Sequence, residues 1–268
     1  MNINDIAITS LEVITGFDIL TGDYLFTLDE LQNATIANAE EKQDIVGKQG
    51  RKLTSLKRNK AVTVSGTNGL LSGGLFELQV GSKFVNKATE VMWTDYLTVT
   101  GNTVNTNFTA VGTAGNEISS ICVKNSDGTL GAKLEQAEAA SAATGDESAK
   151  FAYDPATKKL TFVGLEDGTE IVAYYMRKIQ ANSLENMSDQ YSGKCALYID
   201  ALGEDKCSNV YRIQIYIPKA DFSGEFSLEM GDNQAVHSFE AEALAGACGA
   251  GSTLWTYTIF GADAKDAA

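Results

Sequence analysis

A chain of 268 residues with 44% hydrophobic content can bury a full core, as one large β domain or two smaller ones, and is not wholly disordered. A formal net charge of −14 and a pI near 4.5 exclude a basic nucleic-acid binder, which needs a cationic footprint. The same charge suits a protein that stays near DNA without adhering to it.

The first residues, "MNINDIAITSLEV", have no basic segment followed by an apolar stretch, so no signal peptide is expected. Without secretion, the N-x-S/T triplets at Asn33, Asn107 and Asn186 are chance matches. "GKQGRKLTSLKRNK" (47–60) breaks the acidic trend. It holds Lys48, Arg51, Lys52, Lys57, Arg58 and Lys60, a large share of the chain's 21 basic residues. The flanks "AEEKQD" and "AVTVSG" predict a loop feeding a strand. A basic loop on an acidic protein is complementary to copies of itself, which suggests docking between subunits; a solvated loop without a partner explains it equally well. No aromatic residue interleaves with the cations, as single-strand nucleic-acid binders require.

Next, "TNG" (67–69) marks a turn and "LLSGGLFELQVG" (70–81) predicts a helix despite two internal glycines. A second helix is predicted over "AKLEQAEAASAA" (132–143). Turn signals recur at "NSDG" (125–128), "YDPATKK" (153–159) and "EDG" (166–168), the last flanked by "KLTFV" and "TEIVAYYM" as a hairpin. The stretch 89–177, richer in Thr, Asn, Gly and Ala, reads as an inserted β subdomain within a β domain made of 1–88 and 178–268. "NVYRIQIYI" sets Tyr211, Ile213, Ile215 and Ile217 on one face and Arg212, Gln214 and Tyr216 on the other, a half-buried strand. With Pro155 and Pro218 the only prolines, strands can run long without losing ladder donors. The expected fold is mainly β, a sandwich or barrel with one or two short helices.

"GEFSLEMGDNQAVHSFEAEAL" (224–244) predicts a second hairpin, with strands at 225–230 and 235–243 around a turn at 231–234. Phe226, Leu228 and Met230 alternate with Glu225, Ser227 and Glu229; His237, Phe239, Ala241 and Ala243 alternate with Ser238, Glu240 and Glu242. One face is apolar and the other a row of carboxylates. His237, the sole histidine, falls on the phenylalanine face, so a satisfied, half-buried histidine is expected in place of a metal or acid/base site. Like charges on one strand face cost about 0.2–1 kcal/mol each, and no Lys or Arg lies between Glu225 and Glu242 to offset them. The face is either simply solvated or selected to be negative. The uncharged run 243–262 is too rich in Gly, Ser and Thr for a membrane span and leads into a last strand, "TLWTYTIF".

Chemical motifs fail on inspection. "GACGAGST" (246–253) has Ser252 where a phosphate-binding loop needs lysine, and it precedes a strand. "VKNSDG" (123–128) would put Val123 and Leu134 at ligand positions of a calcium loop, so a plain turn is expected. A Ser/His/Asp or Cys/His site would have to use His237, and no G-x-S-x-G elbow is present. Cys122, Cys195, Cys207 and Cys248 lack C-x-x-C spacing, so free thiols are expected and neither metal nor cofactor is.

The segment "YRIQIYIPKADFSGEFSLEMGDNQAVHSFEAEALAGACGAGSTLWTYTIFG" (211–261) resembles the end of tail tube (major tail) proteins of long-tailed bacteriophages, in which an "IPKA" strand leads into such a hairpin and a last strand. "GRKLTSLKRNKAVTVSGTNGLLSGGLFELQVG" (50–81) is similar to their basic loop, strand and short helix. The resemblance implies a structural virion protein without enzymatic activity, a β-sandwich or barrel subunit flanked by a helix. Six copies would form a ring, and stacked rings the tube through which genomic DNA is ejected without binding tightly. Glu225, Glu229, Glu240 and Glu242 would then line an acidic lumen, and Lys48, Arg51, Lys52, Lys57, Arg58 and Lys60 would contact a neighbouring subunit or ring. Tail sheath, tail terminator and tape measure proteins are the implied further partners. The implied location is the virion tail, assembled in the host cytoplasm, with no membrane. Two other classes share the composition: a capsid decoration or other virion β protein, and a carbohydrate-binding or adhesin-like module using Trp93, Tyr96, Trp255 and Tyr257.

Overall fold

A computed structural model describes residues 5–144, 148–228, 236–245 and 251–261. The chain divides into two compact units, one made of residues 1–84 and 184–268, the other of 85–183. In the first unit, β1 (Ala7–Phe17), β2 (Tyr24–Leu28), β3 (Leu31–Val46) and β4 (Lys52–Asn68) precede the helix α1 (Gly73–Val80). The second unit holds β5 (Val85–Thr98), β6 (Thr103–Asn105), β7 (Ile118–Lys124), β8 (Leu130–Gln136), β9 (Lys150–Asp154), β10 (Lys159–Thr161) and β11 (Glu170–Ser183). The chain then returns to the first with β12 (Lys194–Glu204), β13 (Val210–Phe222), β14 (His237–Ala243) and β15 (Thr256–Gly261). Strand accounts for 60% of the structure and helix for 5%, so the expected mainly β class holds.

The first unit is an eight-stranded antiparallel sheet in the order β2-β1-β12-β13-β14-β4-β3, with β15 added on β13. Because β12 occupies one whole edge of β13, β15 and β14 share its other edge end to end, β15 on 211–216 and β14 on 220–222. Pro218, which lacks an amide hydrogen, sits where that edge passes from one to the other, beside a register shift against β12. Alternation sends Ile14, Leu197, Ile199, Ile217 and Phe239 into one core, in which Phe26 meets Phe222 edge-on at 5.8 Å. The alternation of 210–217 is as the sequence predicts.

α1 lies across this core and buries Leu75, Gln79 and Val80. The Ser72 hydroxyl accepts from the Leu75 amide, and Gly81, left-handed at φ 79°, stops the helix by donating to the Glu77 carbonyl at 2.8 Å. The glycines that weaken the helical pattern have a packing cause. A Cβ on Gly74 would collide with the Leu25 carbonyl and come within 2.9 Å of the Phe26 Cβ, so only glycine lets α1 settle on β2.

The second unit is a seven-stranded sheet, β5-β11-β7-β8-β9-β10-β6, antiparallel except where β8 meets β9. Its core gathers Ile121, Phe151, Leu160, Phe162, Ile171 and Tyr175. Two predictions fail here. Residues 130–136 form β8, although their Ala, Lys, Glu and Gln favour helix; Leu134 is buried opposite Ile121, and tertiary pairing overrides propensity. "KLTFV" and "TEIVAYYM" do not pair, since β10 lies between β9 and β6 while β11 lies between β5 and β7. The turns at 125–128 and 154–159 do close hairpins, and Asp127 accepts from the Thr129 amide and hydroxyl as an ordinary turn residue.

Candidate functional site

β14 carries the acidic row. His237, Phe239, Ala241 and Ala243 are buried, while Glu240 and Glu242 are exposed on the opposite face, across from Ser65 and Thr63 of β4. Phe239 packs against Gly66 of β4, where a Cβ would stand 2.8 Å from the ring and 2.5 Å from the Asn33 carbonyl. The sequence misses two members of this face. Asp221 of β13 stands directly opposite Glu242, and Lys194 of β12 reaches Asp221 at 3.3 Å. Only the period of two in 194–204 and 210–222 hints at them, since pairing is needed to bring three strands together.

The predicted strand at 225–230 does not form over its described residues. Glu225 is exposed and lies outside any strand, its amide donating to the Ser223 hydroxyl at 3.0 Å. A single bridge, Leu228 to His237, and a hydrogen bond from the Ser227 amide to the Ser238 hydroxyl tie the segment to β14. β13 occupies that edge at 241–243. Glu229 lies outside the described residues.

His237 is wholly buried where a half-buried ring is expected. Gln79 of α1 donates its amide to the Ser238 carbonyl at 3.1 Å, which turns its oxygen toward His237 Nε2 at 2.7 Å. That oxygen can only accept, so Nε2 carries the proton. Phe76 and Phe226 meet the ring edge-on at 5.9 Å each. Burial holds the imidazole below its ordinary pKa, in the neutral form. Among the described residues Gln79 is its hydrogen-bond partner, and they contain no His/Cys/Asp/Glu group suited to a metal ion.

The basic stretch is not a loop. It is the tip and outer half of a hairpin arm built from β3 and β4. From 37–46 and 52–60 every residue is exposed except half-buried Ser55, so the ribbon has solvent on both faces for about 30 Å. The arm leaves the sheet at a bulge: register shifts between Ala39 and Glu41, Asn59 turns left-handed at φ 52°, and its side-chain Nδ2 donates to Glu41 Oε2 at 2.7 Å. At the tip, left-handed Gln49 and Gly50 reverse the chain and the Gly47 amide donates to the Arg51 carbonyl. Lys52 pairs with Asp44 at 2.7 Å and Lys57 with Glu40 at 2.6 Å; Lys48, Arg51, Arg58 and Lys60 make no ion pair among the described residues. Between the charges, Ile45, Val46, Leu53 and Leu56 are 41–60% exposed.

The aromatic candidates divide between the units. Trp93 shares the face of β5 that carries buried Asp95 and is itself 38% exposed; its indole donates to Asp95 at 2.9 Å and the Arg177 guanidinium lies over both Trp93 and Phe108. Asp95, 2% exposed, also accepts from Tyr175 and from the backbone and side chain of Asn107. Tyr96 points from the other face of β5 and is 74% exposed. In the first unit Trp255 and Tyr257 meet edge-on at 6.3 Å. No helix among the described residues is long and apolar enough to cross a membrane.

A model of the YomU/Tube protein family matches residues 6–258, nearly the whole chain, and the protein belongs to that family. The family's description points to a phage tube-related structural protein, a component of the virion. No curated protein matches the chain.

Proposed function

We propose that this chain is the tail tube subunit of a long-tailed phage, forming hexameric rings that stack into a channel for DNA ejection, and that it has no enzymatic activity. The hairpin arm carries the reading. A two-stranded ribbon is marginal by itself in water, and this one leaves four aliphatic side chains exposed among unpaired cations on an acidic protein. A second copy would cover that surface and neutralise its charge. Subunits joined through such unlike surfaces propagate as a filament when the rotation does not close.

On this reading 1–88 with 178–268 is the tube-forming domain and 89–177 an insertion. Glu240, Glu242 and Asp221 share one exposed face, and a wall carrying them would repel phosphates so that the duplex slides. Glu225 and Glu229 are proposed to extend that wall. Lys48, Arg51, Lys52, Lys57, Arg58 and Lys60 are the proposed subunit contacts, and sheath, terminator and tape measure proteins the further partners in a tail assembled in the host cytoplasm. Negative-stain electron microscopy of the purified chain over a concentration series tests this. Hollow filaments or six-fold rings are the expected result, and particles that stay monomeric at every concentration refute it.

A further inference from the structure

The sheet of the first unit carries a groove on the face away from its core, between the end of β1, the turn after it, β12 and β13. It measures roughly 590 Å³ and is walled by Phe17, Tyr198 and Tyr216. Tyr198 and Tyr216 are cross-strand partners, half-buried and stacked with centroids 4.6 Å apart, and Phe17 stands edge-on to Tyr198 at 5.7 Å. Among the described residues the charged groups lining it are Asp18 and Asp200, with no Lys or Arg. Each carboxylate is held in place: Asp18 accepts from the amides of Leu20 and Thr21, and Asp200 from the Gln214 side chain at 2.9 Å. Stacked tyrosine faces beside two fixed anions suit a cation carried on an apolar support.

We infer that this groove receives the tip of the hairpin arm from a second copy of the chain, with Arg51 over the tyrosine pair near Asp200 and Leu53 against Phe17. The inference rests on the tube reading and names the receiving surface that the reading leaves open. Charge and polarity agree on both sides. The tip presents Lys48 and Arg51 without ion partners among the described residues, next to Val46 and Leu53 at 60% and 57% exposure. The groove offers carboxylates without cations, lined by aromatic rings. Arm and groove lie at different places on one subunit, so the contact is head-to-tail and each copy both gives and receives.

The test places the photo-crosslinking residue p-benzoylphenylalanine at position 53 of the full chain and irradiates it at polymerising concentration, followed by peptide mapping. Expected are adducts between copies within 15–22, 196–200 or 214–218. In parallel, Arg51→Glu lowers sedimenting polymer at least tenfold, and adding Asp200→Arg restores most of it. The crosslinking arm stands even if Asp200→Arg disturbs the fold. Polymer whose adducts all lie elsewhere overturns the docking site and leaves the tube reading intact. A chain that never sediments beyond a monomer overturns the tube reading, and this inference with it.

Discussion

Replacing Gln79 by leucine removes the bond that ties α1 to the strand bearing the acidic row. Gln79 and His237 are 2% and 0% exposed, so neither side chain can turn to water when its partner is lost. Leucine fills nearly the same volume, and the cost is therefore that of unmade hydrogen bonds. Leaving the His237 Nε2 proton buried and unpaired costs about 1–3 kcal/mol, and the lost bond to the Ser238 carbonyl adds about 1 kcal/mol, for a total of about 2–4 kcal/mol. The chain's two tryptophans, Trp93 and Trp255, lie in different units. Urea unfolding followed by fluorescence in a Trp93→Phe background therefore reports the first unit through Trp255. The double variant Gln79→Leu/His237→Phe also removes the stranded imidazole N–H and should recover more than about 1 kcal/mol of the loss, leaving only the bond to the Ser238 carbonyl unmade. A single-variant loss below about 0.5 kcal/mol, or no recovery in the double variant, refutes the reasoning.

The same histidine gives a pH signature. Its folded pKa lies below the ordinary 6.5 because burial opposes the charge, so the unfolded chain binds the proton first as pH falls. Stability of the first unit should drop below about pH 6.5, by at most about 1.4 kcal/mol per pH unit, and His237→Phe should abolish that slope in pH-dependent urea titrations. In the second unit burial pushes the Asp95 carboxyl up, but hydrogen bonds from Tyr175, Asn107 and Trp93 outweigh it and hold the group below its usual value. Its contribution is present above about pH 4 and lost as pH falls through the lower folded value. Asp95→Asn, which turns acceptor into donor against at least two of its partners, should cost about 3–6 kcal/mol and collapse the near-ultraviolet dichroism of Trp93. Gly74→Ala should destabilise the first unit by about 1–3 kcal/mol in urea, since the new methyl meets the Leu25 carbonyl. Glu240→Lys/Glu242→Lys should leave polymers intact yet make them co-sediment short duplex DNA at low salt; equal retention by the unaltered polymer argues against a repelling wall.

Local rules carry as far as local physics does. The faces of 210–217 and 237–243, the helix at 73–80 and the turns at 125–128 and 154–159 follow from side-chain periodicity, capping residues and turn chemistry acting over a few positions. β8 escapes because its residues favour helix and are held extended by a neighbour. Over 225–228 the predicted strand does not form although its alternation is regular: β13 pairs with β14 only through 241–243, and beyond it the segment keeps a single bridge, Leu228 to His237. The arm was hidden by charge. Alternation that marks a strand comes from burying one face, and 37–60 buries neither, so a paired ribbon reads as a loop.

By itself the sequence determined the mainly β class, the acidic balance with one basic stretch, and the lone histidine's place on an apolar face, because composition and period are properties of the chain alone. Tertiary structure decided which strands are neighbours. It set Asp221 and Lys194 beside Glu242, stacked Tyr198 on Tyr216 above Asp200, and closed Gln79 onto His237 across 158 positions of chain. Such contacts depend on competition for sheet edges, which a one-dimensional pattern does not encode.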